Sequence, residues 1–396
     1  MKKLSTNFKL SLLHRVIVSF SGGLMFILFP WIVLTMTNSA FYTGFLVFLA
    51  ELPLSVAFLV AHYISKIKKK KPLALGGASI KAIAIFSIFL AFLTGNRLYE
   101  LIAIFIGFFV SAWASDVTRR IVNFWEKEFL DEEQYQRGSS LGQTFITIIT
   151  LISYVAAGIT ISIGFNIGIL IISIGYIIST VPLIFVKPRS DVKNIQHHSL
   201  REGFSFFWKT GELRYLVIGL LTSALAFGGS IIVLEALVKF RYDGSPLILT
   251  LFVVGDMGGG IAGAILASRV RGNIRSLFVL FSISEALLVV SIPFTTSYIF
   301  IIPILFFMEG ISNVEDVLSH TAFLKIIPQD LRLQILGVIG TATVFPMVLS
   351  PLIFGAIIQF ISLPMAFYVM AILVIPSTIV FWYAKELKGV RVGGSV

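Results

Sequence analysis

Apolar residues in this chain come in runs of about twenty separated by short polar stretches, and the pattern recurs about twelve times. At about 1.5 Å per residue such a run crosses a hydrocarbon layer of about 30 Å as a helix. The runs lie at 14–36, 41–65, 73–94, 99–120, 138–160, 164–186, 213–237, 245–268, 276–294, 298–320, 333–360 and 364–384. They predict an all-α integral membrane protein with twelve transmembrane helices. Most connections are only a few residues, so neighbouring helices run antiparallel.

The polar positions divide the chain. Residues 187–212 are charged and aromatic, and Arg201, Glu202, Phe204, Phe206, Phe207, Trp208 and Lys209 are arranged as a short interfacial helix. The expected organisation is an N-terminal six-helix bundle over 1–187, a cytoplasmic linker over 188–212 and a C-terminal six-helix bundle over 213–396. Polar exceptions inside the spans repeat at an offset of about 200 residues. Glu51 in the second span answers to Asp256 in the eighth, and Lys81 in the third to Glu285 in the ninth. The loop 65–71 answers to 268–275, and Arg137, Leu141 and Gly142 to Arg332, Leu336 and Gly337.

Charge sets the orientation. Nearly all of the 31 Lys and Arg residues fall at the N-terminus, in alternate loops, in the linker or in the tail, whereas the opposite loops hold only Arg97, Lys239 and Arg241. By the positive-inside rule both termini are cytoplasmic. Composition agrees, with 57% hydrophobic residues, 13% charged residues and a mean hydropathy of +0.95, which exclude a water-soluble core. The net charge of +11 is spread over short loops, where topology and anionic lipid account for it, so nucleic acid is not an expected partner. The chain has no Cys, and its five His include no two-His metal motif. Neither a metal nor another cofactor is expected.

Two six-span halves in parallel repeat, joined by a cytoplasmic linker, resemble the major facilitator superfamily. Within it the chain is similar to the macrolide-efflux or drug-exporter type. The matching stretches are Thr37-Asn38-Ser39-Ala40 before Leu52-Pro53, Ser199-Leu200-Arg201-Glu202-Gly203, and Ile327-Pro328-Gln329-Asp330-Leu331-Arg332. The resemblance implies two pseudo-symmetric bundles with substrate bound between them, and alternating access. It departs from the family's loop signature at Ser65 and Ala267, which stand where acidic residues are usual.

A charge in the hydrocarbon core costs about 2.5 kcal/mol or more, so each one calls for a compensating role. Glu51, Asp256, Glu285 and Glu309 lie near mid-span. A carboxylate in low dielectric can alternate between neutral and charged forms as its access to water alternates, which suits proton coupling. The structural alternative for these acids is an ion pair, for example with Lys81, or an interhelical hydrogen bond from a protonated acid; Glu51, Asp256 and Glu309 read equally as coupling groups or as structural ones, and Glu285, on an outer-type helix, reads as structural. Glu309, Asn313, Asp316 and His320 share one helix face, expected to line a cavity. Gly255, Gly259 and Gly263 make a small-residue stripe for close helix packing. Phe29 and Trp31, near Pro30, are candidates for an aromatic substrate wall. A cytoplasmic gate is expected from Lys66 with Asp116 and from Arg269 with Glu315 or Asp316. Arg119 and Arg120 compete for Asp116 at i+3 and i+4.

These features predict a monomeric, non-enzymatic secondary transporter of the cell membrane that exports a lipophilic or amphipathic small molecule, driven by protons. The alternatives are an uptake symporter or uniporter for sugars, organic anions or metals, and a polytopic protein that transports nothing. A deep cavity cation would favour anionic substrates, and Lys81 alone qualifies on sequence.

Overall fold

Where a backbone lies in lipid it must satisfy its own hydrogen bonds, and long uninterrupted helices are what such apolar runs form. The computed structural model describes residues 4–67, 69–130, 132–188, 206–328, 332–389 and 391–392. The expected linker helix falls largely outside the described residues. Of it, Phe206 to Lys209 are helical, with Phe206 and Phe207 packed on the core and Trp208 exposed. Among the described residues, eleven segments are long and apolar enough to cross a membrane, and the shorter apolar helix Ala40–Ser55 belongs to a further span.

By contact density the chain forms two units, one of 1–38 with 49–194 and the other of 39–48 with 195–396. In the first, α1 (Thr6–Thr37) is capped by the Ser5 hydroxyl, which accepts from the Phe8 N–H, and ends at Asn38 in the left-handed region, φ 54°. α2 (Ala40–Ser55) begins in the second unit and enters the first at Leu49, and α3 (Ala57–Lys66), α4 (Lys70–Phe92), α5 (Arg97–Phe129), α6 (Glu132–Ile163) and α7 (Phe165–Phe185) follow in the first. α1 packs on α6 and α7, and α4 on α5 and α7. Phe8, Ile121, Trp125, Phe129, Leu183 and Val186 fill the core at the end that carries the lysine-rich loop.

The second unit repeats this plan. It holds α8 (Gly211–Phe227), α9 (Ser230–Arg241), α10 (Pro246–Ala267), α11 (Ile274–Ser291), α12 (Tyr298–Ile326), α13 (Arg332–Phe360) and α14 (Leu363–Tyr383). α8 packs on α13 and α14, and α11 on α14, as their counterparts do in the first unit. A two-residue ladder joins Gly272–Asn273 to Arg391–Val392. Outward-facing Ile83, Leu90, Ile106, Ile159, Phe307 and Ile372 are exposed, as a lipid-covered surface requires.

Two of the expected spans are broken. The second divides at Val56, three residues after Pro53, whose ring removes a backbone donor from the helix. The seventh divides at Gly228 and Gly229, where α13 comes so close that a β-carbon on Gly228 would crowd the Met347 backbone. The carbonyl of Leu225, which loses its helical partner there, accepts from the Ser350 hydroxyl at 2.7 Å.

The small-residue stripe on α10 packs as its spacing suggests. A β-carbon on Gly259 or Gly263 would run into the backbone of Phe306 or Gly310 on α12. Gly259→Ala is therefore expected to destabilise by about 1–3 kcal/mol through overpacking. Gly76→Ala on α4, where a β-carbon meets nothing within 4 Å, is expected to stabilise by up to about 1 kcal/mol through helix propensity. Thermal melts of the two variants in detergent should shift in opposite directions.

Candidate functional site: two cavities of opposite charge

Among the described residues, a cavity lined by ionisable side chains is found in each unit. In the second unit the cavity has a volume of about 80 Å³. Asp256 from α10, Glu285 from α11 and Glu309 from α12 reach its wall, among apolar side chains that include Phe227, Met308 and Met370. All three acids come from the middle turns of their helices. Glu309 accepts from the Asn313 amide at 2.8 Å, and the same amide reaches the Glu309 carbonyl at 3.1 Å. Of the helix face expected from spacing, Glu309 alone lines the cavity; Asn313 stands behind it as its hydrogen-bond donor, and Asp316 and His320 emerge exposed. Glu285, expected as a structural group, lines this cavity, and Lys81, one candidate partner for the buried acids, finds its partners inside the first unit.

Two more carboxylates lie buried in the second unit. Glu235 on α9 is fully buried, and neither of its oxygens has a hydrogen-bond partner. Glu315 on α12 is 4% exposed, and its Oε1 also has none. Glu235 was not singled out from the sequence, where its nearness to Lys239 and Arg241 gives it the look of an interfacial residue. Among the described residues no three His, Cys, Asp or Glu side chains are grouped to hold a metal ion.

The first unit's cavity is larger, about 360 Å³, and basic. Its wall includes His14 and Arg15 from α1, Lys81 from α4 and Arg119 from α5, with no carboxylate among the lining residues. Lys81 is buried, donates to the Ser115 hydroxyl at 2.9 Å and stands 4.0 Å over the Tyr176 ring. His14 Nδ1 lies 2.7 Å from the Ser179 carbonyl; a carbonyl only accepts, so this nitrogen carries the hydrogen. Arg15 pairs with Glu126 at 2.5 Å. Sequence reasoning marked Lys81 as the deep cation and gave Arg119 to the expected gate, but spacing alone does not bring His14, Arg15 and Arg119 to the same cavity as Lys81.

Other expected sites are placed differently. Asp116, 3% exposed, takes Arg119 at 2.6 Å and Arg120 at 2.7 Å, and does not pair with Lys66. Partners one turn away on the same helix lose less freedom in pairing than a distant lysine does. Lys66 is exposed and lies 5.9 Å from the Tyr63 ring. Arg269 and Asp316 are both exposed and form no ion pair with each other, and Glu315 does not reach Arg269 either. Neither expected gate pair forms. Phe29 and Trp31 are buried, Phe29 edge-on against Phe108 at 5.5 Å, and they pack the first unit's core and line neither cavity. Glu51 on α2 is half-buried with an unpartnered Oε2, and it too lines neither.

No protein-family model matches the chain, and no curated protein matches it in sequence. Solved structures do. A bacterial homologue of the iron transporter ferroportin, in an inward-facing state, superposes with a TM-score of 0.78 at 15% identity, over 98% of this chain and 100% of that one. The nucleoside transporter NupG gives 0.72 at 13% identity over 96% and 99%. A bacterial metal transporter gives 0.71 at 13% identity over 97% and 100%. Likeness at such low identity speaks to architecture, and the architecture of this all-α membrane protein is the major facilitator fold.

Proposed function

We propose that the chain is a secondary transporter that works by alternating access and exports amphipathic small molecules in exchange for protons. In this reading it is a monomer of the cell membrane with both termini cytoplasmic, and it has no catalytic residue. The observation that carries the reading is the grouping of Asp256, Glu285 and Glu309 around one small cavity in the middle of the second unit. A volume of about 80 Å³ holds a few waters at about 30 Å³ each. It is well short of the roughly 300–1,000 Å³ of a small-molecule site. The cavity therefore suits protons and water, and the apolar wall makes the charged state of each acid costly unless water or a proton reaches it.

The test is transport in proteoliposomes carrying an imposed pH gradient, screened with amphipathic fluorophores of either charge. Uphill movement of a fluorophore that collapses with a protonophore is the expected result, and accumulation indifferent to the gradient would remove proton coupling. A divalent cation as cargo is the second reading, supported by the two metal-transporter structures the chain resembles, although among the described residues no three acid or imidazole side chains are grouped to hold such an ion. Loading the same vesicles with a metal-sensing dye decides between the two.

A further inference from the structure

We propose that the basic cavity of the first unit binds the anionic head group, a carboxylate, sulfonate or phosphate, of the transported amphipath. The proposal rests on the transporter reading above and names the charge of its substrate.

Depth is the first argument. Lys81 lies eleven residues into α4, Arg15 nine into α1, and Arg119 ten before the end of α5. At about 1.5 Å per residue these cations sit roughly 14–17 Å from the helix ends that carry the basic loops. Lys81 is buried at that depth, whereas the Arg119 side chain is half exposed, so Lys81 is the cation that loop topology does not explain.

Charge balance is the second. Glu126 pairs with Arg15, and Asp116 pairs with both Arg119 and Arg120, one negative charge against two positive. Among the described residues the Lys81 ammonium forms no ion pair, one positive charge of the arginine pair is left over, and no acid lines the cavity to balance either. The ammonium has three donors, of which Ser115 takes one and the Tyr176 ring faces another. A buried cation is costly in a membrane, and a bound anion offsets that cost.

Size and chemistry are the third. At about 360 Å³ the cavity falls within the range of small-molecule sites, unlike its acidic counterpart. Ser19, Thr118, Asn123 and Gln143 add neutral hydrogen-bonding groups to its wall, while Val18, Val122 and Ile146 offer an apolar surface for the body of an amphipath.

The experiment measures binding of 1-naphthoate and 1-naphthyl phosphate to the full chain in phosphatidylcholine nanodiscs, with 1-naphthylmethylamine and 1-naphthalenemethanol as cationic and neutral controls. The anions are expected to bind at least about tenfold more tightly than either control. Lys81→Met should weaken them by roughly 10–100-fold, the range of a charge-assisted hydrogen bond. Ser115→Ala, which removes the acceptor that steadies Lys81 and leaves every charge in place, should weaken them less and keeps the test open if Lys81→Met fails to fold. Equal binding of anion and amine, or anion binding unchanged in a folded variant of either kind, would overturn the proposal. So would displacement of the probe by phosphatidylglycerol included in the nanodisc, which would make the cavity a lipid head-group site. Binding needs no gradient, so loss of proton coupling with anion binding intact would refute the coupling reading alone.

Discussion

Asp256→Asn should abolish uphill transport driven by a pH gradient while leaving exchange of labelled for unlabelled substrate nearly intact. Asn keeps the shape of the side chain and its hydrogen-bonding capacity but cannot gain or lose a proton. Exchange cycles the loaded carrier only, whereas net transport must return it through the state in which the acid changes its proton occupancy. Because about 1.4 kcal/mol is a tenfold change in a two-state ratio, loss of one coupling group suffices to erase a gradient-driven accumulation of that size. Glu309 is expected to differ from Asp256 in degree, since the Asn313 amide already holds one of its oxygens. Parallel measurements of accumulation and counterflow in one vesicle preparation check this. Equal loss of both activities would point to a collapsed cavity, and accumulation at the original level would show that Asp256 carries no proton in the cycle.

Removing both guanidiniums beside Asp116 should cost more stability than any single change in the first unit. In Arg119→Gln with Arg120→Gln the carboxylate stays 3% exposed and loses both of its ion-pair partners. Stranding a buried charge typically costs 3–5 kcal/mol, and about 3 kcal/mol is expected here because the Arg119 side chain is itself half exposed. Adding Asp116→Asn should recover most of that loss, since no stranded charge then remains. Thermal denaturation in detergent reads both effects. A triple variant no more stable than the double would mean that the guanidiniums act by packing and not by answering the carboxylate.

Much of the architecture was legible because hydrocarbon imposes a length on every span, and hydropathy reads that length directly. The breaks were not. Val56 and Gly228 lie inside runs that stay apolar throughout, and only the approach of α13, with Ser350 turned to the Leu225 carbonyl, marks the second of them. Among ionisable residues, Asp256 and Glu309 were found as mid-span acids, but which acids share a cavity depends on how α10, α11 and α12 face one another. Glu285, read as structural because its helix is of the outer type, stands on the cavity wall all the same. Arg15 and Arg119 fall just inside the ends of the predicted runs 14–36 and 99–120, but α1 starts at Thr6 and α5 runs to Phe129, so the two arginines stand nine and ten residues from their helix ends. The expected gate failed through competition: Asp116 had two arginines within one turn, and Lys66 could not match them.

A basic cavity in one unit and an acidic cavity in the other make the proposed cycle sensitive to voltage. If a monovalent anion leaves the cell as one proton enters, two charges move across the membrane in the same electrical sense. At about 2.3 kcal/mol per charge for each 100 mV, a cell interior 100 mV negative contributes about 4.6 kcal/mol to export, more than a thousandfold in concentration. A cation exchanged for a proton would move no net charge and gain nothing from that potential. The signs of the two cavities thus decide whether the carrier runs on the membrane potential as well as on pH, and the current it passes, or fails to pass, reports which.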